Sequence, residues 1–303
     1  NMHLYLAAPR GFCAGVVRAI DIVNKSLELF GSPIYVKHQI VHNKYVVADL
    51  EKKGAITVEN IDDVPANSTV IFSAHGSPPK DYELAKSKKI KIIDATCPLV
   101  TKVHNEAIKY SKEGRKIILI GHRGHQEVVG TMGQTDMLLI DDREKNNIPE
   151  LDNNESVAVL SQTTLSIDDT KEISKTLKQK YKNSIIRNDI CYAVTNRQNA
   201  VKKLATLVDI IIVVGSDTSS NCVRLKEMSE SCGTKSILVN SVTEIKKMNL
   251  TKYSKIGITS GASTPEVLID EFINYLKPSK INTVGDNEKD INFVLPNEVS
   301  NEN

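Results

Sequence analysis

Short apolar runs recur along this chain, separated by stretches whose apolar positions repeat every three or four residues. Leu4–Ala7, Ile34–Val36, Val70–Ser73, Ile90–Asp94, Lys116–Ile120, Met137–Ile140, Val157–Leu160, Ser184–Arg187, Ile210–Val214, Ser236–Val239 and Lys255–Thr259 have the length and β-branched content of strands. The amphipathic stretches Gly15–Phe30, Asn43–Lys53, Leu99–Glu113, Ser166–Lys180, Thr195–Val208, Val223–Ser231 and Pro265–Leu276 predict helices. Strands that alternate with helices predict an α/β protein whose sheets are mostly parallel and covered on both faces. Local signals agree. Ser166 ahead of Asp168 and Asp169 reads as a helix start, as does Thr264 ahead of Pro265 and Glu266. Gly31 and Gly54 stand where helix C-caps are expected.

Three cysteines share one setting within that pattern. Cys13, Cys97 and Cys191 each follow a strand-like run and precede a helix-like one, once in each third of the chain. A thiol at a strand-to-helix turn lies near a helix N-terminus, where the dipole and free N–H groups favour the metal-binding thiolate. Their separation of roughly ninety residues is too long for a solenoid and fits three similar α/β domains. The expected division is 14–97, 98–191, and 1–13 together with 192–281, followed by a polar tail at 282–303. Residue spacing alone leaves two readings open, a shared metal centre and three small buried side chains. Cys222 and Cys232 lack the setting and read as structural.

Bulk properties narrow the field. A length of 303 residues suits two or three domains. A net charge of +2 argues against a nucleic-acid surface. No apolar run approaches the ~18–20 residues of a membrane-spanning helix, so no membrane partner is expected. Five scattered cysteines in a chain this long point to a reducing compartment rather than a disulfide framework.

Candidate chemistry gathers in the loops. His42, His75 and His125 lie in loop-like segments; the first leads into a helix, and the last two follow strands and have glycines beside them. In parallel sheets, ligands bind beyond the carboxyl ends of strands. His3, His38, His104 and His122 read instead as solvated or satisfied side chains. Ser216–Asn221, with Ser219, Ser220 and Asn221 at its end, and Gly261–Pro265, containing Ser263, are short donor-rich loops before helices. Such loops bind phosphate or simply cap the helix. Glu127 could deliver a proton and Thr163 could add a hydroxyl donor. Neither a GxxxxGK[ST] nor an opening GxGxxG motif is present, which disfavours ATP and NAD.

Nine segments, PRGFCAGVVRAI, QIVHNKYVV, FSAHGSPP, IIDATCPLVTKVH, IGHRGHQEVVGTMGQ, SQTTLSIDDT, NDICYAVTNRQ, GSDTSSNCVRL and ITSGASTPEVL, occur in an order that resembles the 4-hydroxy-3-methylbut-2-enyl diphosphate reductases. The resemblance implies three α/β domains in a trefoil around a central [4Fe–4S] cluster. It implies that Cys13, Cys97 and Cys191 hold three irons, with the fourth open to the substrate hydroxyl, and that loss of that iron leaves a [3Fe–4S] form. It further implies that His42, His75 and His125 meet the diphosphate with Ser219, Ser220, Asn221 and Ser263, and that Glu127, Thr163 and His125 handle protons. The implied reaction removes the allylic hydroxyl with two electrons and two protons, giving isopentenyl and dimethylallyl diphosphate. A ferredoxin or flavodoxin is the implied electron donor. Cys222 departs from the small hydroxyl residue expected beside the phosphate loop.

Two other readings compete. One is a zinc hydrolase of a phosphorylated substrate, against which the absence of HExxH and CxxC spacing counts. The other is an iron–sulfur sensor of diphosphates, which would need no proton relay. A bacterial source implies a cytoplasmic protein; a eukaryotic one implies a plastid or apicoplast stroma after loss of a transit peptide.

Overall fold

The computed structural model describes residues 1–300. Its first part runs β1 (His3–Ala8), α1 (Ala14–Phe30), β2 (Ile34–Lys37), α2 (Lys44–Lys52), β3 (Ala55–Val58), β4 (Thr69–Phe72), α3 (Pro79–Ser87) and β5 (Lys91–Asp94). There follow α4 (Pro98–Lys112), β6 (Lys116–Gly121), α5 (Gln126–Met132), β7 (Leu138–Asp141), β8 (Val157–Ser161), α6 (Ile167–Lys180) and β9 (Ser184–Ile186). The last part comprises α7 (Tyr192–Ala205), β10 (Ile210–Val214), α8 (Ser220–Ser231), β11 (Lys235–Val239), β12 (Lys255–Ser260), α9 (Glu266–Leu276) and β13 (Lys280–Gly285). No helix among the described residues is long and apolar enough to cross a membrane.

The strands form three sheets, and every ladder is parallel. Their orders are β3-β2-β4-β5, β7-β6-β8-β9 and β11-β10-β12-β1-β13. One topology is thus written three times, with the second strand outermost, then the first, third and fourth. In the last sheet the fourth place is taken by β1 from the start of the chain, in register His3 with Lys255. Each order reverses between its first and third strands, which opens a crevice at their carboxyl ends.

Two compact units carry these sheets. The five-stranded sheet belongs to a unit of Asn1–Val16, His42–Val46 and Tyr192–Asn292. The two four-stranded sheets belong to a unit of Val17–Val41, Val47–Cys191 and the segment from Phe293. In the first unit, β10 reads IIIVV with all five residues buried, as a strand covered on both faces requires. Its core joins Ile210, Ile212 and Val214 to Leu4, Ile256, Ile258 and, from α9, Ile269 and Phe272. In the second unit, Val70 and Phe72 anchor one core and Ile117, Leu119, Ala158 and Leu160 another.

Local chemistry explains most boundaries. Asn43 caps α2 by accepting from Val46 N at 3.1 Å, and Ser166 caps α6 by accepting from Asp169 N at 3.2 Å. Gly31 N returns to Leu27 O at 3.0 Å, closing α1. Thr264 does not cap α9 as its sequence context suggests: its hydroxyl donates to Val214 O at 2.9 Å and Pro265 occupies the cap. Helices α7 and α8 begin three residues earlier than their apolar patterns suggest.

The sequence pattern passes over β3, α3, α5 and β13. Helix α5 is seven residues long and contains Gly130, a poor helix former. What holds it is tertiary: a Cβ on Gly130 would lie 3.0 Å from Ser77 N and 3.1 Å from Gly76 C, so only glycine lets α5 rest on that backbone. Strand β13 pairs with β1 along six residues at the sheet edge, with its polar side chains exposed. Nothing in its composition marks burial, which is why its region reads as tail.

Helix α3 is tied to β2 by an ion pair between the buried Lys37 and the partly buried Asp81, Nζ to Oδ2 at 3.0 Å. Removing one partner leaves a buried charge unpaired. Asp81→Ala is expected to destabilise the protein by about 3–5 kcal/mol, measured by urea denaturation, while Lys37→Met with Asp81→Leu recovers most of the loss.

Candidate functional site

The three shared-setting cysteines occupy equivalent places in the three sheets. Cys13 follows β1 and immediately precedes α1; Cys97 follows β5 and is the N-cap of α4; Cys191 follows β9 and immediately precedes α7. In each case the cysteine N–H donates to a loop carbonyl beyond the neighbouring strand. The bonds are Cys13 N to Ala262 O at 3.2 Å after β12, Cys97 N to Ala74 O at 3.0 Å after β4, and Cys191 N to Thr163 O at 3.1 Å after β8. All three thiols are free of disulfides and partly buried. Burial pushes the Cys13 thiol up, while the Val16 N–H, the Arg197 charge and the Gly15 N–H act in the opposite direction.

In the first unit, the loop beyond β12 collects several candidates. Asn221 Oδ1 accepts from Ala262 N at 2.7 Å, and Ser263 Oγ donates to His42 O at 3.3 Å. Ser219 caps α8 by accepting from Cys222 N at 3.4 Å, which places Ser220 and Asn221 in the first turn. Asn221 is buried, yet its Nδ2 has no hydrogen-bond partner among the described residues. A buried amide donor left this way is unfavourable until an acceptor arrives. Together with the N-terminus of α8, it suits an anionic ligand. Cys222 lies beneath both loops: a Cβ on Gly215 or Gly261 would come within 2.2 or 2.3 Å of its sulfur. Its small buried side chain packs directly against both backbones, which fits the structural reading.

In the second unit, three loops converge. His125 is the N-cap of α5 and its Nδ1 accepts from Glu127 N at 3.1 Å. That bond fixes the neutral tautomer with the proton on Nε2, a donor. The His125 ring lies 6.0 Å from the His75 ring in an edge arrangement, and His75 Nδ1 contacts Ser73 Oγ at 3.3 Å. Glu127 turns inward and is 3% exposed. Its Oε1 accepts from Thr163 N at 2.7 Å and its Oε2 from Thr163 Oγ1 at 3.1 Å. Because Thr163 O also accepts from Cys191 N, the Glu127–Thr163 pair is bonded directly to a cysteine backbone.

Burial raises the Glu127 carboxyl to about 7, against the lowering effect of its two Thr163 bonds. A carboxyl that holds its proton near neutrality is suited to general-acid work. Asp189 is likewise pushed up to about 7 by burial, and its carboxylate accepts from Ser161 N at 3.0 Å. His104 is driven down to about 4 by burial and is neutral. It packs beneath the His75 loop, where a Cβ on Gly76 would meet it at 3.0 Å.

Cys13, His42, Ser219, Ser220, Asn221 and Ser263 therefore fall in the first unit, and Cys97, Cys191, His75, His125, Glu127 and Thr163 in the second. Some participants escape sequence reasoning. His38 reads as a solvated side chain, but it pairs with Glu59 at 2.9 Å and sets its ring 5.5 Å from that of His75. Gln162 is buried and bridges two loops, accepting from His122 N at 2.9 Å and donating to Thr164 Oγ1 at 2.9 Å. His122, Asp141 and Asp142 lie together, but the Asp141 carboxylate is already filled by the Arg143 guanidinium and the N–H groups of Arg123 and Arg143. It ties down the loop that leads to His125.

Comparison with known proteins gives the family and the fold. A family profile described as LytB protein matches residues 4–277. The 4-hydroxy-3-methylbut-2-enyl diphosphate reductase of Azotobacter vinelandii is 47% identical over 309 aligned residues, covering 98% of each chain. The same-named protein of Glaesserella parasuis serovar 5 is 48% identical, again over 98% of each chain. Among solved structures, the E-1-hydroxy-2-methyl-but-2-enyl-4-diphosphate reductase from Plasmodium falciparum superposes with a TM-score of 0.94 at 41% identity, covering 99% of this chain and 97% of its own.

A raised carboxyl favours its neutral form in the folded state, so its ionisation opposes folding as pH climbs from the unfolded value of 4.5 to about 7. Glu127→Gln keeps both Thr163 contacts without the charge. Its stability relative to wild type is expected to rise by about 3 kcal/mol across that interval and stay level above it, read from denaturation at a series of pH values.

Proposed function

We propose that this chain, which belongs to the LytB protein family, is a 4-hydroxy-3-methylbut-2-enyl diphosphate reductase. The reaction takes up two electrons and two protons. One carbon–oxygen bond breaks, one carbon–hydrogen bond forms, and the oxygen leaves as water. The products are isopentenyl and dimethylallyl diphosphate. The observation that carries this reading is the buried Glu127–Thr163 pair, bonded to the backbone of a cysteine in the repeated setting.

Cys13, Cys97 and Cys191 would hold a [4Fe–4S] cluster with one iron lacking a protein ligand. Their donor set suits it. The three thiols are free, each stands at a helix N-terminus, and the Cys13 sulfur has the Gly15 and Val16 N–H groups directed toward it. When bound, the cluster supplies single electrons and a Lewis acid for the departing hydroxyl. Loss of the unliganded iron would leave a [3Fe–4S] form. A ferredoxin or flavodoxin would deliver the electrons.

The chain's own residues bind, orient and move protons. His42, His75 and the Nε2–H of His125, with Ser219, Ser220, Asn221 and Ser263, would take the diphosphate oxygens. Fixing the diphosphate converts binding energy into position at the allylic end. Glu127 Oε1 accepts from the Thr163 N–H, so a proton taken up by Glu127 sits on Oε2, and the contact in which Thr163 Oγ1 donates to the ionised carboxylate then runs the other way. From there Glu127 donates to the threonine hydroxyl, which passes its own proton on. Hydroxide is a poor leaving group, and protonating it as the bond breaks lowers that barrier.

Anaerobic reconstitution is expected to give about four irons and four sulfides per chain with absorbance near ~400 nm. Cys→Ser at position 13, 97 or 191 should lower the iron content; zinc or no metal in the wild type would sink the assignment. With a viologen donor, Glu127→Gln should lose about 100- to 1,000-fold in kcat at unchanged iron content. Because the acid must be protonated, wild-type kcat should fall as pH rises through about 7.

A further inference from the structure

Arg197 is the largest fully buried side chain among the described residues, and its charge serves no role in the reaction described above. It projects from α7, the helix that starts one residue after Cys191. Its Nε and Nη2 donate to Gly11 O at 3.0 and 2.7 Å, and Nη2 also reaches Phe12 O at 3.4 Å. Nη1 donates to Ala193 O at 2.9 Å and to both Glu288 oxygens at 3.0 and 3.1 Å. All five guanidinium N–H groups are thereby used. Glu288 comes from the polar segment after β13 and is held in turn by Asn196 Nδ2 at 2.9 Å. Of the three carbonyls that Arg197 grips, two are those of the residues immediately before Cys13.

We infer that Arg197 and Glu288 are positioning residues for Cys13: the guanidinium fork fixes the loop that presents the sulfur, and Glu288 both holds the fork and offsets its charge beside that sulfur. The segment after β13 is then part of the site's machinery rather than a passive tail. A staple with only a structural role would hold α7 to the loop without altering what the sulfur experiences. The inference rests on the cluster assignment proposed above.

Two variants separate its parts. Glu288→Gln keeps an acceptor for Arg197 but removes a negative charge near Cys13, so the more negative, reduced cluster is stabilised. Its midpoint potential, read by spectroelectrochemistry of the reconstituted protein, is expected to be more positive than that of wild type. Arg197→Lys keeps the charge but loses the fork, and is expected to release iron to a chelator about 10-fold faster. A variant that matches wild type in its readout overturns the role of the residue it changes. If wild type takes up no cluster, the proposed function fails and the positioning is read from the metal-free protein. Alkylation at Cys13, followed by mass spectrometry, should then be faster in Arg197→Lys, and an unchanged rate overturns the inference.

Discussion

A backbone amide bond repeated three times organises this molecule. The N–H of each shared-setting cysteine donates to the carbonyl of the second residue beyond the end of the adjacent strand. That bond draws the cysteine of the fourth strand against the loop of the third. The loop carries the next chemical groups: His75 after Ala74, Ser263 after Ala262, and Thr163 itself. Parallel strands make this economical, because all carboxyl ends of a sheet lie along one edge. Displacing one of these bonds would leave a half-buried amide unsatisfied and part the sulfur from its neighbours.

The loops divide their labour by charge. The first unit offers neutral donors: an unpaired buried amide, hydroxyls and a helix N-terminus. The second offers groups whose protonation is set by surroundings. His125 is fixed as a donor at Nε2 by the N–H it caps, and Glu127 is kept near neutrality by burial. None of these states requires a flexible side chain. The first is imposed by a short-range backbone bond and the second by enclosure, and preorganisation of that kind spares reorganisation during a reaction.

Much of this was legible in the sequence because it rests on burial and local turn chemistry. The IIIVV run of β10, the cap at Ser166 and the strand–cysteine–helix setting announce themselves through periodicity and residue type. The family resemblance then named Glu127 and Thr163. What stayed hidden depends on contacts between distant segments. Helix α5 stands on a neighbour's backbone at Gly130, the hydroxyl of Thr264 turns from its helix to Val214, and β13 is recruited by pairing alone. Arg197 resembles any arginine on a helix until Gly11 is seen beside it. His38 looked bland because its value comes from Glu59 and His75, neither of which is near it in sequence.

The threefold sheet pattern is closed by the first strand of the chain. Strands β2 to β5 and β6 to β9 each find their partners nearby, but β1 must wait for β12 and β13, whose registers with it begin at Lys255 and Lys280. Contacts separated by about 250 residues carry a high loop-closure entropy and form late. During synthesis β1 therefore emerges long before both of its partners, leaving an apolar strand without neighbours until β12 and β13 exist. Its six residues are where a nascent chain would most need shielding from intermolecular strand pairing.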